Sequence, residues 1–160
     1  MEVHIMPEKI EILPLEPDSE LLDEIAVEAR AEGYAFVDRL IDEAKSGENR
    51  FDRKGENFCG AFIDGALVGC GGLNIDPYTD RKVGRLRHVF ILSRSRRMGV
   101  ANELVQHLLN RSSAEFSEVR LRTSDQKADK FYEAIGFNRT TEEGATHKIQ
   151  LSKGSSTITL

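Results

Sequence analysis

Between Ile91 and Ala101 the chain reads Ile-Leu-Ser-Arg-Ser-Arg-Arg-Met-Gly-Val-Ala: a branched strand end, a basic turn, one glycine and the start of a helix. A strand that hands over this directly to a helix commits the chain to a layered mixture of the two. The same junction exposes unpaired backbone N–H groups at the positive end of a helix dipole, an arrangement suited to holding an anion. From Arg81 to Arg97 there are seven Lys or Arg (Arg81, Lys82, Arg85, Arg87, Arg94, Arg96, Arg97) and no Asp or Glu, in a chain of net charge −5. A confined positive stripe in an acidic chain points to a ligand, and neither nucleic acid nor a membrane surface is expected as a partner.

Periodicity on either side of this junction sets the order of elements. Ile10 to Leu15 alternates as a first strand, which Pro14 ends or confines to an edge. Leu21, Leu22, Ile25, Ala26 and Ala29 follow helical spacing up to Gly33, and Phe36, Val37, Leu40 and Ile41 mark a second helix running to Ala44. Ser46 to Asn57 is charged and contains glycine, which predicts a mobile loop. Phe58–Ile63 and Ala66–Leu73 flank Asp64-Gly65 as a hairpin, and a polar loop over 74–83 leads to a strand over 84–92. Val100, Leu104, Val105, Leu108 and Leu109 predict an amphipathic helix, and Val119–Thr123 a further strand. Ala128, Phe131, Tyr132 and Ile135 predict a short helix stopped by Gly136. Two last strands are expected near Phe137–Thr140 and His147–Leu151, across Glu142-Glu143-Gly144. The fold class is therefore α/β (α+β), strands and helices in the order βααβββαβαββ. At 160 residues the chain reads as one domain, its core at about 8–152 and a frayed tail over 153–160.

The N-terminal residues lack a basic segment followed by an apolar core, and no apolar run approaches the ~20 residues that cross a bilayer, so a cytoplasmic location is expected. The two cysteines, Cys59 and Cys70, fall directly opposite one another if Asp64-Gly65 is a two-residue turn. They would occupy the wider kind of strand pair, with Cα atoms ~5.5 Å apart, which suits a disulfide poorly. Neighbouring free thiols, packed as small apolar groups, are the expectation. The two common glycine-rich nucleotide motifs and the Gly-x-Ser-x-Gly elbow are absent. The four histidines have no ligand spacing, and no metal is expected.

Two motifs carry a more specific message. Arg96-Arg97-Met98-Gly99-Val100-Ala101 fits Gln/Arg-x-x-Gly-x-Gly/Ala, and Ala128 to Phe137 fits Ala-x-x-Phe-Tyr-x-x-x-Gly-Phe. With the strand, glycine turn and helix in this order, the chain resembles the GCN5-related N-acetyltransferase (GNAT) superfamily. The resemblance implies a mixed, mostly antiparallel sheet splayed between its fourth and fifth strands, with helices on both faces. It implies acetyl-CoA as acyl donor, its pyrophosphate wrapped by backbone N–H groups from Arg96, Arg97, Met98, Gly99, Val100 and Ala101. Pantetheine would add to the exposed strand near Phe90 and Ile91, and an N–H at a bulge there would polarise the thioester carbonyl. Tyr132 matches the tyrosine that protonates the leaving thiolate, a role that suits a phenol neutral at pH 7. Asp125 stands where the family often has an Asn touching CoA, and also suits the N-cap of the next helix. Phe131 completes the cofactor-binding set.

The family's usual base on the fourth strand has no counterpart, because the cleft-facing positions are Arg85 and Arg87. Water, His88 (rotated by the bulge) or a residue of the 74–83 loop would take the proton. Arg85 and Arg87 lie more than ~20 Å along the chain from Arg96, too far to share the CoA phosphates. They are candidates to bind an anionic group on the acceptor. The expected activity is acetyl transfer to a primary amine of a small molecule or peptide. A non-catalytic CoA-binding module is the alternative, and a homodimer is allowed.

Overall fold

The alternation of strand and helix periods assembles into one seven-stranded sheet in a computed structural model that describes residues 9–152. The tail expected over 153–160, like the N-terminal residues 1–8, lies outside the described residues. The elements are β1 (Ile10–Pro14), α1 (Asp23–Ala31), α2 (Phe36–Ser46), β2 (Asn57–Ile63), β3 (Ala66–Ile75), β4 (Val83–Ile91), α3 (Val100–Ser112), β5 (Glu118–Leu121), α4 (Gln126–Ile135), β6 (Asn138–Arg139) and β7 (His147–Gln150). This is the order that periodicity predicts, with short 3-10 turns added at Glu20–Leu22 and Ser93–Ser95. The sheet runs β1-β2-β3-β4-β5-β7-β6 and is antiparallel throughout except for the parallel β4–β5 pair. Among the described residues no helix is long and apolar enough to cross a membrane.

The apolar stripes decide which faces the helices cover. Leu104, Val105 and Leu108 of α3 are fully buried, and a Cβ at Gly71 in β3 would press on Leu104 and Leu108. The next residue, Gly72, points to the opposite face, where a Cβ would come within 2.5 Å of the Phe51 ring. That face belongs to α1 and α2, whose Ile25, Ala29, Val37 and Leu40 are buried in the same core.

Two bulges re-aim side chains. The hairpin turn forms at Asp64-Gly65 with φ of 51° and 82°, and Ile63 pairs with Ala66. Phe62 then pairs with Leu67 but Ala61 with Gly69, so Val68 is an extra residue. The expected Cys59–Cys70 pairing is thereby corrected: Cys59 opposes Gly71 and Cys70 opposes Gly60. One inserted residue turns the two thiols to opposite faces. Both are free and buried. The second bulge lies between β3 and β4, where Cys70 pairs with Phe90 and Gly72 with Arg87, leaving His88 and Val89 opposite Gly71 alone. His88 adopts φ 63° there.

The loop expected to be mobile between Ser46 and Asn57 is also corrected. Phe51 is only 4% exposed and its ring packs 5.3 Å from that of Phe58. Arg50 ties the same loop to α2 by donating to the Ala44 carbonyl at 2.8 Å, and to Asp18 and Glu16 by ion pairs. One buried aromatic and one bridging guanidinium outweigh a polar composition.

The feature that makes a site is the parting of β4 and β5. They pair only from Val83–Arg85 to Glu118–Arg120, although β4 continues to Ile91. At the closed end of this V, Arg120 is buried among Glu118, Glu142 and Asp76. Burial works against its charge, but the three carboxylates together hold its pKa above the ordinary value. This cluster, with Arg85 on Asp76, pins the two strands where they still touch.

Candidate active site

Beyond Arg85 the β5 side of β4 has no strand partner among the described residues, and a cleft of about 620 Å³ opens there. Because β4 and β5 are parallel, both C-terminal ends reach the same end of the cleft, beside the start of α3. Ile91, Arg96 and Ala101 line it with Thr123, Ser124 and Asp125. Gly99 is the N-cap of α3 at φ 82°, and no side chain caps the first turn. A Cβ on Gly99 would meet nothing within 4 Å, so its Cα faces open space. No side chain among the described residues caps the first N–H groups of α3, which stand at the positive end of the helix beside this open space.

The arginine side chains around this turn do other work. Arg94 bonds Glu24 of α1 at 2.6 Å, and Arg96 bonds Glu32 at 2.8 Å and the Ile91 carbonyl at 2.8 Å. The Arg96 guanidinium also stacks 5.2 Å over the Phe90 ring. Both clamp the turn to α1, so the stripe in the sequence is not a block of free positive charge. Arg97 and Met98 are exposed, and Arg97 has no ion pair among the described residues.

Across the cleft, Asp125 is the N-cap of α4, its Oδ1 accepting from the Lys127 N–H at 2.9 Å. About two turns on, Phe131 and Tyr132 line the cleft. Tyr132 is 8% exposed, with the rings of Phe131 and Phe137 at 5.0 and 5.5 Å. Burial pushes its phenol above the ordinary value, so it keeps its proton at neutral pH.

Toward the closed end, Phe36 and Arg39 of α2 face Arg85, Arg87 and His88 of β4. The bulge has turned His88 onto the α2 face, stacked on Phe36 at 6.0 Å and edge-on to Phe51 at 6.1 Å. Its Nε2 is buried without a hydrogen-bond partner among the described residues, and burial holds its pKa down to about 3. Arg85 donates to the Gly144 carbonyl at 2.8 Å and to Asp76 at 3.4 Å. Among the described residues Arg87 has only the Asn74 Oδ1, at 3.3 Å. Away from the cleft, Asp129, Glu133 and His147 converge with donor types suited to a metal, but Arg139 reaches both carboxylates and supplies the positive charge.

The family model for the acetyltransferase (GNAT) domain matches residues 24–153. The chain belongs to the GNAT family. A solved structure from Exiguobacterium sp. 255-15 superposes with a TM-score of 0.79 at 20% identity, covering 93% of this chain and 98% of its own. An acetyltransferase from Thermus thermophilus gives 0.70 at 14% identity, covering 92% and 100%. A GNAT-family acetyltransferase from Staphylococcus aureus gives 0.69 at 15%, covering 90% and 100%. Such identities speak for the fold alone. No curated protein sequence matches the chain.

In this GNAT chain the cleft brings together Phe90, Ile91, Arg96, Ala101, Asp125, Phe131 and Tyr132 from three elements and two connections. Arg85 and Arg87 stand in the same cleft in different circumstances, one satisfied and one not. Tyr34, Phe36 and Arg39 also line the cleft; from the sequence the helix pair over Leu21–Ala44 is expected to border the acceptor site, but none of these three residues stands out individually. Arg39 carried a faint signal, lying on a helix one position from the stripe formed by Val37, Leu40 and Ile41.

Proposed function

We propose that this GNAT acyltransferase is an acetyl-CoA-dependent N-acetyltransferase that passes the acetyl group directly to a primary amine of a small molecule or peptide. The observation that carries the proposal is the uncapped N-terminus of α3, with open space at Gly99, beside a cleft that the buried Tyr132 lines. Acetyl-CoA supplies an activated thioester, and the residues present fit it. The backbone N–H groups of Val100 and Ala101 take the pyrophosphate, and the Arg96–Met98 turn closes around it. The free edge of β4 at Phe90 and Ile91 bonds pantetheine as an added strand would. At the His88–Val89 bulge a backbone N–H donates to the oxygen that gains negative charge as the amine attacks. Tyr132 delivers its proton to the departing sulfur. His88, with a pKa near 3, is too weak a base to hold the amine's proton at neutral pH, which leaves water or a residue of the 74–83 loop to take it.

Thermal shift with acetyl-CoA, followed by free-thiol release against a panel of amines, tests the proposal. The expected result is stabilisation and amine-dependent thiol release. Stabilisation with no turnover of any amine would replace the enzyme by a CoA-binding module, and no stabilisation would remove the CoA site itself.

A further inference from the structure

Four arginines of the described residues are buried or half-buried: Arg50, Arg85, Arg87 and Arg120. Three are paired with carboxylates. Arg87 is not, and its one hydrogen bond goes to a neutral amide oxygen on Asn74. Burial, with the nearby charges of Arg85 and Arg39, presses its pKa below the ordinary value. Glu43 on α2 is the acidic group whose field offsets this, yet the two form no ion pair. Arg39, facing the same cleft from α2, also has no carboxylate partner among the described residues. Next to them His88 is uncharged at neutral pH, so it neither competes for an anion nor supplies one. Arg87 is therefore a half-buried charge in the cleft wall with no counter-ion among the described residues, and the exposed Arg39 guanidinium adds like charge beside it, a costly arrangement unless a ligand brings the negative charge.

Position narrows what that ligand is. Arg87 immediately precedes the bulge at His88, and one strand residue advances only ~3.3 Å. An anion held by Arg87 thus sits within a side chain's reach of the point where the amine is acylated. We infer that Arg87, assisted by Arg39, binds a carboxylate carried by the acceptor itself, so that the substrates are small amino carboxylates such as free amino acids. Arg85, engaged by Asp76 and Gly144, takes no part. The inference rests on the acyl-transfer function proposed above.

The test compares amino acids with their carboxamides on the wild-type protein and on Arg87→Gln, Arg87→Lys and Arg39→Gln. Calorimetry on CoA-saturated protein gives binding, and thiol release from acetyl-CoA gives kcat/KM. The expected wild-type preference for the carboxylate is about 10- to 100-fold, the range of a hydrogen-bonded charge. Arg87→Gln should collapse the ratio to within about 3-fold while CoA affinity holds, and Arg87→Lys should keep part of it because it retains charge but not the fork. Arg39→Gln should lower the ratio by a smaller factor, and it decides the matter if Arg87→Gln does not fold. Equal binding of acids and amides, a ratio unchanged in both glutamine variants, or no amino acid bound would overturn the inference. Turnover confined to neutral amines would overturn it while leaving N-acetyl transfer intact. Failure of the wild-type protein to bind CoA would overturn the underlying function, and this inference with it.

Discussion

Gly99 offers a sharp test of the phosphate grip, because the structure contains its own control. Gly99 has φ 82° and Gly47, the C-cap of α2, has φ 84°, and an added Cβ at either meets nothing within 4 Å. Replacing each by alanine therefore imposes the same backbone penalty without a clash. A left-handed conformation costs an L-residue about 1–2 kcal/mol, which for a chain of this size lowers Tm by about 2–8 °C. Both variants should lose that much in the absence of ligand. They should part on binding. The Gly99 Cβ enters the space beside the first N–H groups of α3, and losing one charge-assisted hydrogen bond there weakens acetyl-CoA by about 10- to 100-fold. Gly47 lies outside the cleft, so Gly47→Ala should keep the wild-type Kd. Calorimetric titration with acetyl-CoA, beside thermal melts of the apo proteins, reads both quantities. Equal Kd values in the two variants would refute the placing of the pyrophosphate at Gly99.

Tyr132→Phe keeps both aromatic neighbours and should change stability by less than about 1 kcal/mol, while kcat falls at least ~100-fold in the thiol-release assay; an unimpaired kcat would strip Tyr132 of its role. His88 titrates near 3 in the fold and near its ordinary ~6.5 when unfolded, so the unfolded chain binds the extra proton between those values. Its contribution is full above pH 6.5 and drains as pH falls toward 3, at up to about 1.4 kcal/mol per pH unit. Denaturation of His88→Asn, which tolerates the left-handed backbone, should show a shallower slope over that window, and parallel curves would contradict the burial argument. Burial pushes Cys59 to about 11 and Cys70 to about 12, so iodoacetamide at pH 8 should label neither until denaturant is added. Labelling of the native protein would mean that the core opens more readily than its packing implies.

Elements set by local pattern were legible in the chain, and their bounds fall within a few residues of the expected ones. The apolar stripes of α2, α3 and α4, the Asp64-Gly65 turn and the Gly99 junction depend on neighbours a few residues away. What went astray depended on single inserted residues or on distant partners. Val68 shifted the hairpin register and separated the cysteines, and no local signal distinguishes a bulged Val from a paired one. Phe51 anchored a loop whose composition reads as solvent-exposed, because its cavity is formed by β2, β3 and His88. The ion-pair partners of Arg94 and Arg96, Glu24, Glu28 and Glu32 on α1 and at its C-cap, lie far back in the chain and carry no local signal.

The strand–turn–helix around Gly99 illustrates the division well. By itself the sequence determined that a helix starts there with no side-chain cap, since both the helical stripe and the glycine are local facts. It also determined the family, through two short motifs in the right order. The family resemblance already implied that the fourth and fifth strands splay at a bulge; only tertiary structure decided that they part after Arg85, that His88 lands against Phe36 and Phe51, and that Arg85 finds Asp76 while Arg87 finds no carboxylate among the described residues. Whether a buried charge has a partner depends on residues far apart in the chain, so identical arginines two positions apart have different fates. That difference follows from packing, and it marks Arg87 as the residue that awaits an anion.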